Sequence, residues 1–271
     1  MKKIQVIVNG LPGKMALAVA EAVISSEDMI FIPRGLTGSE ITEKEGNIRG
    51  VHVTLFSPDE KLFACIEQAD VVIDFTHPSV IADNVEFYTA NRIPFVMGTT
   101  GGDLNFIRSK VKASGINAVV APNMAKEIVL FQSMMEFAAE KFPGAFKDFS
   151  LEIAESHQKN KADTSGTAKA VAASFNKLGI PFSIDQIIKK RSDSDHEALG
   201  VPMEFWDGHG WHTYTLKKPD SSVFFQFTHN VNGRQAYIDG TLDAVRFLNM
   251  VNELPFDEGN IFSMTDVLRG K

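Results

Sequence analysis

A chain of 271 residues is long enough for one large core or for two domains. Hydrophobic residues make up 44% and charged residues 23%, and a formal net charge of -7 argues against a nucleic-acid partner. The one cysteine, Cys65, excludes an intrachain disulfide, and no apolar run approaches a membrane span, so a reducing, cytoplasmic setting is expected.

Met1-Lys2-Lys3 is followed by no signal-peptide core and leads directly into Ile4 to Val8. That run is continuously apolar, as a parallel strand covered on both faces must be. Asn9-Gly10-Leu11-Pro12-Gly13-Lys14-Met15 then reads as a tight turn, and Ala16 to Ile24 as a helix. Glycines let the backbone turn sharply and approach a ligand, while a helix start offers unpaired N–H groups and a positive dipole end. A dinucleotide's pyrophosphate is expected there, with Ala16 at the close-packing position and Lys14 near the phosphate. A plain turn in some other doubly wound protein is the alternative.

Met29 to Ile32 reads as the second strand. After it come Pro33-Arg34-Gly35, Thr37 and Ser39 rather than an acidic residue. An arginine suits a 2'-phosphate, so the segment leans towards NADPH and leaves NADH open; Arg34 as a solvent-facing loop residue is the competing reading. Residues 40–50 look like a surface loop, Val51 to Leu55 a short strand and Leu62 to Ala69 a helix. Val71-Val72-Ile73-Asp74-Phe75-Thr76 is a buried strand with a polar end, where a cofactor could pass. His77 reads as a cap for the helix that runs to about Ala90.

Pro94 to Met97 is followed by Gly98-Thr99-Thr100-Gly101-Gly102, a turn that suits close contact with an amide-bearing ring. A simple turn with Thr100 or Asp103 as helix cap is the alternative. Ala118 to Ala121 is a further strand, closed by Pro122-Asn123-Met124. Short apolar strands separated by helices predict a Rossmann-like, doubly wound parallel sheet.

Ala125 to Lys141 is a long amphipathic helix ended by Pro143-Gly144. Strands are then expected over Phe149 to Ala154, Ile184 to Lys190, His212 to Leu216 and Val223 to His229, with a helix at Thr167 to Leu178. This is a second α+β domain with a mixed or open sheet. Thr241 to Leu248 and Ile261 to Leu268 read as helical.

The most chemical stretch is Glu155-Ser156-His157-Gln158-Lys159-Asn160-Lys161-Ala162-Asp163-Thr164-Ser165-Gly166-Thr167. It follows a strand and precedes a helix. His157 could hold or give a proton, Lys161 could pair with an anion or donate a proton, and Ser165, Gly166 and Thr167 could cradle a carboxylate at the helix start. A surface loop with a hydroxyl cap and solvated lysines is the bland reading. His209-Gly210-Trp211-His212 has no partner acid at convincing spacing, so no metal is expected; Lys189-Lys190-Arg191 reads as a solvated edge.

The stretch resembles the signature of the dihydrodipicolinate (4-hydroxy-tetrahydrodipicolinate) reductase family, Glu-x-His-His-x-x-Lys-x-Asp-Ala-Pro-Ser-Gly-Thr-Ala. Here Gln158 replaces the second histidine, and Thr164 replaces Ala-Pro with one residue fewer. Both departures resemble the plant-type branch. Asn9 to Met15, Asp74-Phe75-Thr76, Gly98-Thr99-Thr100-Gly101, Ala121-Pro122-Asn123-Met124 and Asn230 to Leu248 resemble further family motifs. The resemblance implies NADPH- or NADH-dependent reduction of a dicarboxylic acid in lysine and diaminopimelate biosynthesis. It implies His157 and Lys161 as the acid/base pair, and Gln158, Ser165, Gly166 and Thr167 on the substrate. Asn9, Gly10, Pro12, Gly13, Lys14, Met15, Arg34, Phe75, Thr76, Gly98, Thr99, Thr100, Pro122, Asn123 and Met124 would face the cofactor. It further implies a nucleotide domain of residues 1–124 and 241–271, a substrate and oligomerisation domain of residues 125–240, and a homotetramer. Another two-domain nicotinamide dehydrogenase, or a protein that senses NAD(P)H without turnover, stays open on the residues alone.

Overall fold

The structure is a computed structural model that describes residues 2–63, 69–254 and 258–270. Two compact units emerge: Met1–Lys126 with Tyr237–Lys271, and Glu127–Ala236.

The first unit begins with β1 (Ile4–Asn9) and α1 (Lys14–Ser25). Val6, Ile7 and Val8 are fully buried, so both faces of β1 are covered. α1 buries Ala16, Val19, Ala20 and Val23, the i, i+3, i+4, i+7 stripe that packs a helix on a sheet. β2 (Met29–Phe31) follows, then β3 (Arg34–Leu36), β4 (Glu45–Ile48) and β5 (Val51–Phe56). The last three form their own sheet in the order β3-β5-β4, so part of the expected surface loop at 40–50 is a strand. The sequence Glu-Gly-Asn-Ile of β4 hides this, because only Ile48 is buried. Of the helix expected over Leu62–Ala69, Leu62 and Phe63 belong to the 3-10 helix Pro58–Phe63 and Ala69 is not helical; residues 64–68, Cys65 among them, lie outside the described residues.

β6 (Val71–Asp74) leads through a 3-10 turn, capped by His77 Nδ1 accepting from the Ser79 N–H, into α2 (Ile81–Ala90). β7 (Phe95–Met97), α3 (Leu104–Ser114) and β8 (Ala118–Val120) complete this stretch. Asp103 caps α3 by accepting from the Asn105 and Phe106 N–H groups, and Gly115 ends it with φ of 73°.

α4 (Lys126–Lys141) leads into the second unit, which holds β9 (Ser150–His157), α5 (Gly166–Lys177), β10 (Ile188–Lys190), α6 (Asp193–Leu199), β11 (His209–Lys217) and β12 (Phe224–Asn232). Their sheet order is β10-β9-β11-β12, with β10 parallel to β9 and the other pairs antiparallel. The strand expected at Ile184 is a 3-10 turn, because Gln186 and Ser183 close a capping box. α6 was not anticipated, although Ser192 and Asp195 form the same motif there. The core of this unit gathers Ile153, Phe175, Tyr214 and Leu216 with α5 and α4 residues.

The chain then returns to the first unit through α7 (Gln235–Val251), β13 (Ile261–Phe262) and α8 (Met264–Arg269). β13 pairs with β8, giving an all-parallel sheet in the order β13-β8-β7-β6-β1-β2. A Cβ on Gly240 would sit 1.7 Å from the Met124 carbonyl oxygen, so α7 lies directly on the backbone after β8.

Candidate active site

In the first unit, strand register gathers the predicted cofactor residues. Asn9 lies beside Asp74, Asp74 beside Met97, and Met97 beside Val120. The loops that begin at Gly10, Phe75, Gly98 and Ala121 therefore leave the sheet side by side at its carboxyl edge, where open parallel sheets bind ligands. The backbone here is packed too closely for side chains. A Cβ on Gly10, at φ of 100°, would lie 2.3 Å from the Phe75 carbonyl oxygen. One on Gly35 would lie 2.3 Å from the Val8 oxygen, and one on Gly98 would lie 2.2 Å from the Phe75 ring. Gly13 caps α1 without a side-chain bond, so the first-turn amides of α1 have no capping side chain there. Leu11-Pro12 is cis, Pro12, Gly13 and Lys14 are exposed, and Met15 is partly so. This cradle of bare backbone fits a dinucleotide pyrophosphate.

Several predicted cofactor residues serve the cradle itself. Asn9 Nδ2 donates to the Tyr88 hydroxyl at 2.8 Å, and Asn9 Oδ1 accepts from the Leu36 N–H at 2.8 Å. The buried Asp74 carboxylate accepts from Tyr88, Asn84, Thr99 and both the N–H and hydroxyl of Thr76. Burial, and next the Asp74 charge, push the Tyr88 phenol well above its ordinary pKa. Asn123 Oδ1 accepts from the Ala125 N–H at 3.0 Å, Met124 is buried, and Pro122 and Thr100 are exposed. Arg34 is partly buried on β3.

In the second unit, His157 ends β9 and α5 starts at Gly166, with Ser165 as its N-cap residue. β11 runs beside β9 so that His212 opposes Glu155 and Gly210 opposes His157, while His229 on β12 opposes His212. Glu155, His212 and His229 thus form one row across three strands, with His157 two residues further along β9. The His157 and His212 rings meet edge-on at 5.1 Å, and His212 stacks on His229 at 4.7 Å. Gly210 makes room for the catalytic candidate: a Cβ there would lie 3.0 Å from His157 Cε1.

His157 Nδ1 lies 3.1 Å from the His209 carbonyl oxygen, so Nδ1 donates and the neutral ring keeps its lone pair on the buried Nε2. Burial, followed by the charges of Arg191 and Lys161, lowers the His157 pKa to about 4. Burial dominates at His212 and His229 as well, lowering them to about 2 and about 4. Lys161 Nζ donates to Asp163 Oδ1 at 2.8 Å, which holds the Asp163 carboxyl below its usual range. The Gln158 carbonyl accepts from the Lys161 N–H at 3.0 Å; Gly166 is exposed and Thr167 partly so.

Arg191 was expected on a solvated edge and is instead an internal tie. It forms a short ion pair with the fully buried Glu155 carboxylate, and its own side chain is only 15% exposed. The long aliphatic stem and planar head let one residue reach from the strand edge into the interior. His212 also has an acid beside it, Glu155 Oε2, at 3.8 Å. Ligand atoms of Glu155, His157 and His212 lie within 4.8 Å of one another, but a cation there would have to share Glu155 with Arg191. Spacing along the chain could show neither pairing, because both depend on strand register. The capping-type sequence after Arg191 was the one available hint that the segment folds back.

The family description "Dihydrodipicolinate reductase, N-terminus" matches residues 4–124, and "Dihydrodipicolinate reductase, C-terminus" matches residues 127–268. The chain is 43% identical over 273 residues to "4-hydroxy-tetrahydrodipicolinate reductase 1, chloroplastic" of Arabidopsis thaliana, covering 98% of this chain and 78% of the relative. It is 28% identical over 281 residues to "4-hydroxy-tetrahydrodipicolinate reductase" of Methanothermobacter thermautotrophicus, covering 98% of each. Among solved structures, "Dipicolinate bound Dihydrodipicolinate reductase" from Paenisporosarcina sp. TG-14 shares the fold at a TM-score of 0.68 and 21% identity, covering 96% of this chain and 97% of that one.

Proposed function

The chain belongs to the dihydrodipicolinate reductase family, and on that premise we propose that His157 and Lys161 are its acid/base pair. The protein is an NAD(P)H-dependent oxidoreductase that reduces 4-hydroxy-tetrahydrodipicolinate to tetrahydrodipicolinate in lysine and diaminopimelate biosynthesis. When bound, NAD(P)H supplies the hydride. Gly10, Pro12, Gly13, Lys14 and Met15 would hold its pyrophosphate against the start of α1, while Asn9, Phe75, Thr76, Gly98, Thr99, Thr100, Pro122, Asn123 and Met124 shape the remaining walls. Arg34 would meet a 2'-phosphate and favour NADPH.

Negative charge that develops on the conjugated product must be met by a proton. Lys161 turns from Asp163 to one substrate carboxylate and stands ready to protonate the product. His157 enters neutral; a dianionic substrate beside it raises its affinity for a proton, opposing the effect of burial. The other carboxylate lies against the Gly166 and Thr167 N–H groups, with the Ser165 and Thr167 hydroxyls and Gln158 flanking it. The observation that carries this reading is the continuity of β9, the Lys161 loop and the start of α5. An imidazole, an ammonium and a set of helix-terminal amides stand on a stretch of eleven residues, His157 to Thr167.

Steady-state rates with freshly synthesised substrate and each nicotinamide test it, in the parent and in His157→Ala and Lys161→Ala. Large losses of kcat with NADPH binding retained are expected; unchanged turnover in either variant removes that residue from the chemistry. A lower KM for NADPH than for NADH is expected, with the gap closing in Arg34→Ala.

A homotetramer is proposed through the small sheet. β12 is its edge strand and leaves Phe224 and Phe225 56% and 41% exposed, which an unpaired edge does not do without cost. Light scattering should give four copies; a monomer would overturn this. A cytoplasmic location is proposed from the single cysteine, and recovery of the native protein from an oxidising compartment would overturn it. No described helix is long and apolar enough to cross a membrane.

A further inference from the structure

The donors of one guanidinium converge on the candidate substrate side. Arg191 Nε donates to the Lys161 carbonyl oxygen at 2.9 Å. Its Nη1 donates to the Glu155 and Lys190 carbonyl oxygens, both at 3.1 Å. Its Nη2 donates to Glu155 Oε1 and, at 3.5 Å, to the Asp163 carbonyl oxygen. The Glu155 carboxylate in turn accepts the Ser165 N–H, at 3.0 Å on Oε2 and 3.3 Å on Oε1. One ion pair therefore touches the end of β9, both sides of the turn that carries Lys161, and the cap of α5.

We infer that Arg191, acting through Glu155, is a positioning residue that fixes the Lys161 loop and the first turn of α5 for the dicarboxylate substrate. This rests on the reading of Lys161 and of the Gly166–Thr167 amides as substrate groups. A carbonyl held on either side of Ala162 leaves the Lys161 side chain little choice of direction. The Ser165 N–H is consumed by Glu155, so the amides of the residues after it are the ones left to meet an anion. Arg191 also neutralises a carboxylate that would otherwise stand unpaired and buried beside the path of a dianion. A lysine could supply the charge but not the planar fork, which here reaches four backbone carbonyls and a carboxylate at once.

The test compares Arg191→Ala, Arg191→Lys and Glu155→Gln in the full chain, reading kcat, both KM values and the affinity for dipicolinate as a stable dicarboxylate probe. Arg191→Ala should lose roughly tenfold to a hundredfold in kcat, because misplacing a reacting group by an ångström has that effect. Its dipicolinate affinity should fall about tenfold, a displaced charge-assisted site being worth that much. KM for NADPH should stay near the parent value. Arg191→Lys should resemble Arg191→Ala, and added guanidinium should restore part of the turnover in Arg191→Ala but none in Lys161→Ala. If Arg191→Ala does not fold, Glu155→Gln reads the same pair, and it should weaken dipicolinate while sparing NADPH. Parent-like kcat and dipicolinate affinity in Arg191→Ala, or full function in Arg191→Lys, would overturn the inference. So would equal losses for dipicolinate and NADPH in Glu155→Gln. An inactive Lys161→Ala with parent-like Arg191 variants would sink the positioning role alone. A fully active Lys161→Ala would sink the catalytic reading and leave dipicolinate affinity to judge Arg191.

Discussion

Gly10 follows an interior strand of the six-stranded sheet, and Glu155 lies near the end of an interior strand of the four-stranded one. They build their sites by opposite means. Around Gly10 the walls are backbone: three glycines bring carbonyl oxygens or a ring to within 2.3 Å of where a side chain would start. Around Glu155 the walls are side chains, a carboxylate, a guanidinium and three imidazoles on adjacent strands. A backbone site fails when an atom is added, whereas a side-chain site fails when a charge or a donor is removed.

The sharpest way to break this contrast is Lys161→Ala. Loss of a positioned proton donor should lower kcat by about a hundredfold or more, and NADPH fluorescence titration should show unchanged affinity. Next is Gly10→Ala, which adds one methyl at φ of 100° against the Phe75 carbonyl. A destabilisation on the order of 3 kcal/mol in urea unfolding is expected, together with weakened NADPH binding, from forced left-handed backbone and overpacking. A stable variant with parent affinity would show that the loop has room to spare.

Asp74→Asn tests whether the first unit has a polar keystone of its own. The amide can accept only on one side, so at least one of the donors from Tyr88, Asn84, Thr76 and Thr99 is left facing another donor. About 2 kcal/mol of stability should be lost in urea unfolding, the cost of a buried unsatisfied group.

The imidazoles give the second unit a stability that depends on pH between about 4 and 6.5. His157 and His229 have folded-state pKa values lowered from 6.5 to about 4, so between those values the unfolded chain binds more protons than the native one. Their contribution is complete above 6.5 and is lost as pH falls through that window. Tm should drop by roughly 5 °C or more between neutral pH and pH ~5. His229→Gln should flatten the slope, and a Tm independent of pH over this range would contradict the burial of these rings. The smallest effect is expected for Lys159→Ala. Its partner Asp193 is 3.4 Å away and both side chains are mostly exposed, so stability should shift by no more than ~0.5 kcal/mol in thermal unfolding.

The same contrast explains what the sequence made legible. Apolar runs and glycine turns are local, so Ile4–Val8, the turn at Gly10 and the polar strand end at Asp74 could be read directly. The linear order His157, Lys161, Ser165-Gly166-Thr167 was equally local. Arg191 could not be read, because its partner lies 36 residues away and only the parallel pairing of β10 with β9 brings them together. His212 beside Glu155 and His229 beside His212 are products of antiparallel register. β4 is hidden because its polar residues face water, and the bonds of Asn9 and Thr99 to the protein's own backbone and carboxylate are contacts that spacing along the chain does not show.

The sixth strand of the parallel sheet, β13, comes from residues 261–262, and Arg246 on α7 pairs with Asp28 across 218 residues of sequence. During synthesis, therefore, the middle unit emerges whole and can settle while the first still lacks its outer strand and covering helix. A chain cut after residue 240 therefore carries every residue of the second unit and lacks β13, α8 and most of α7 from the first.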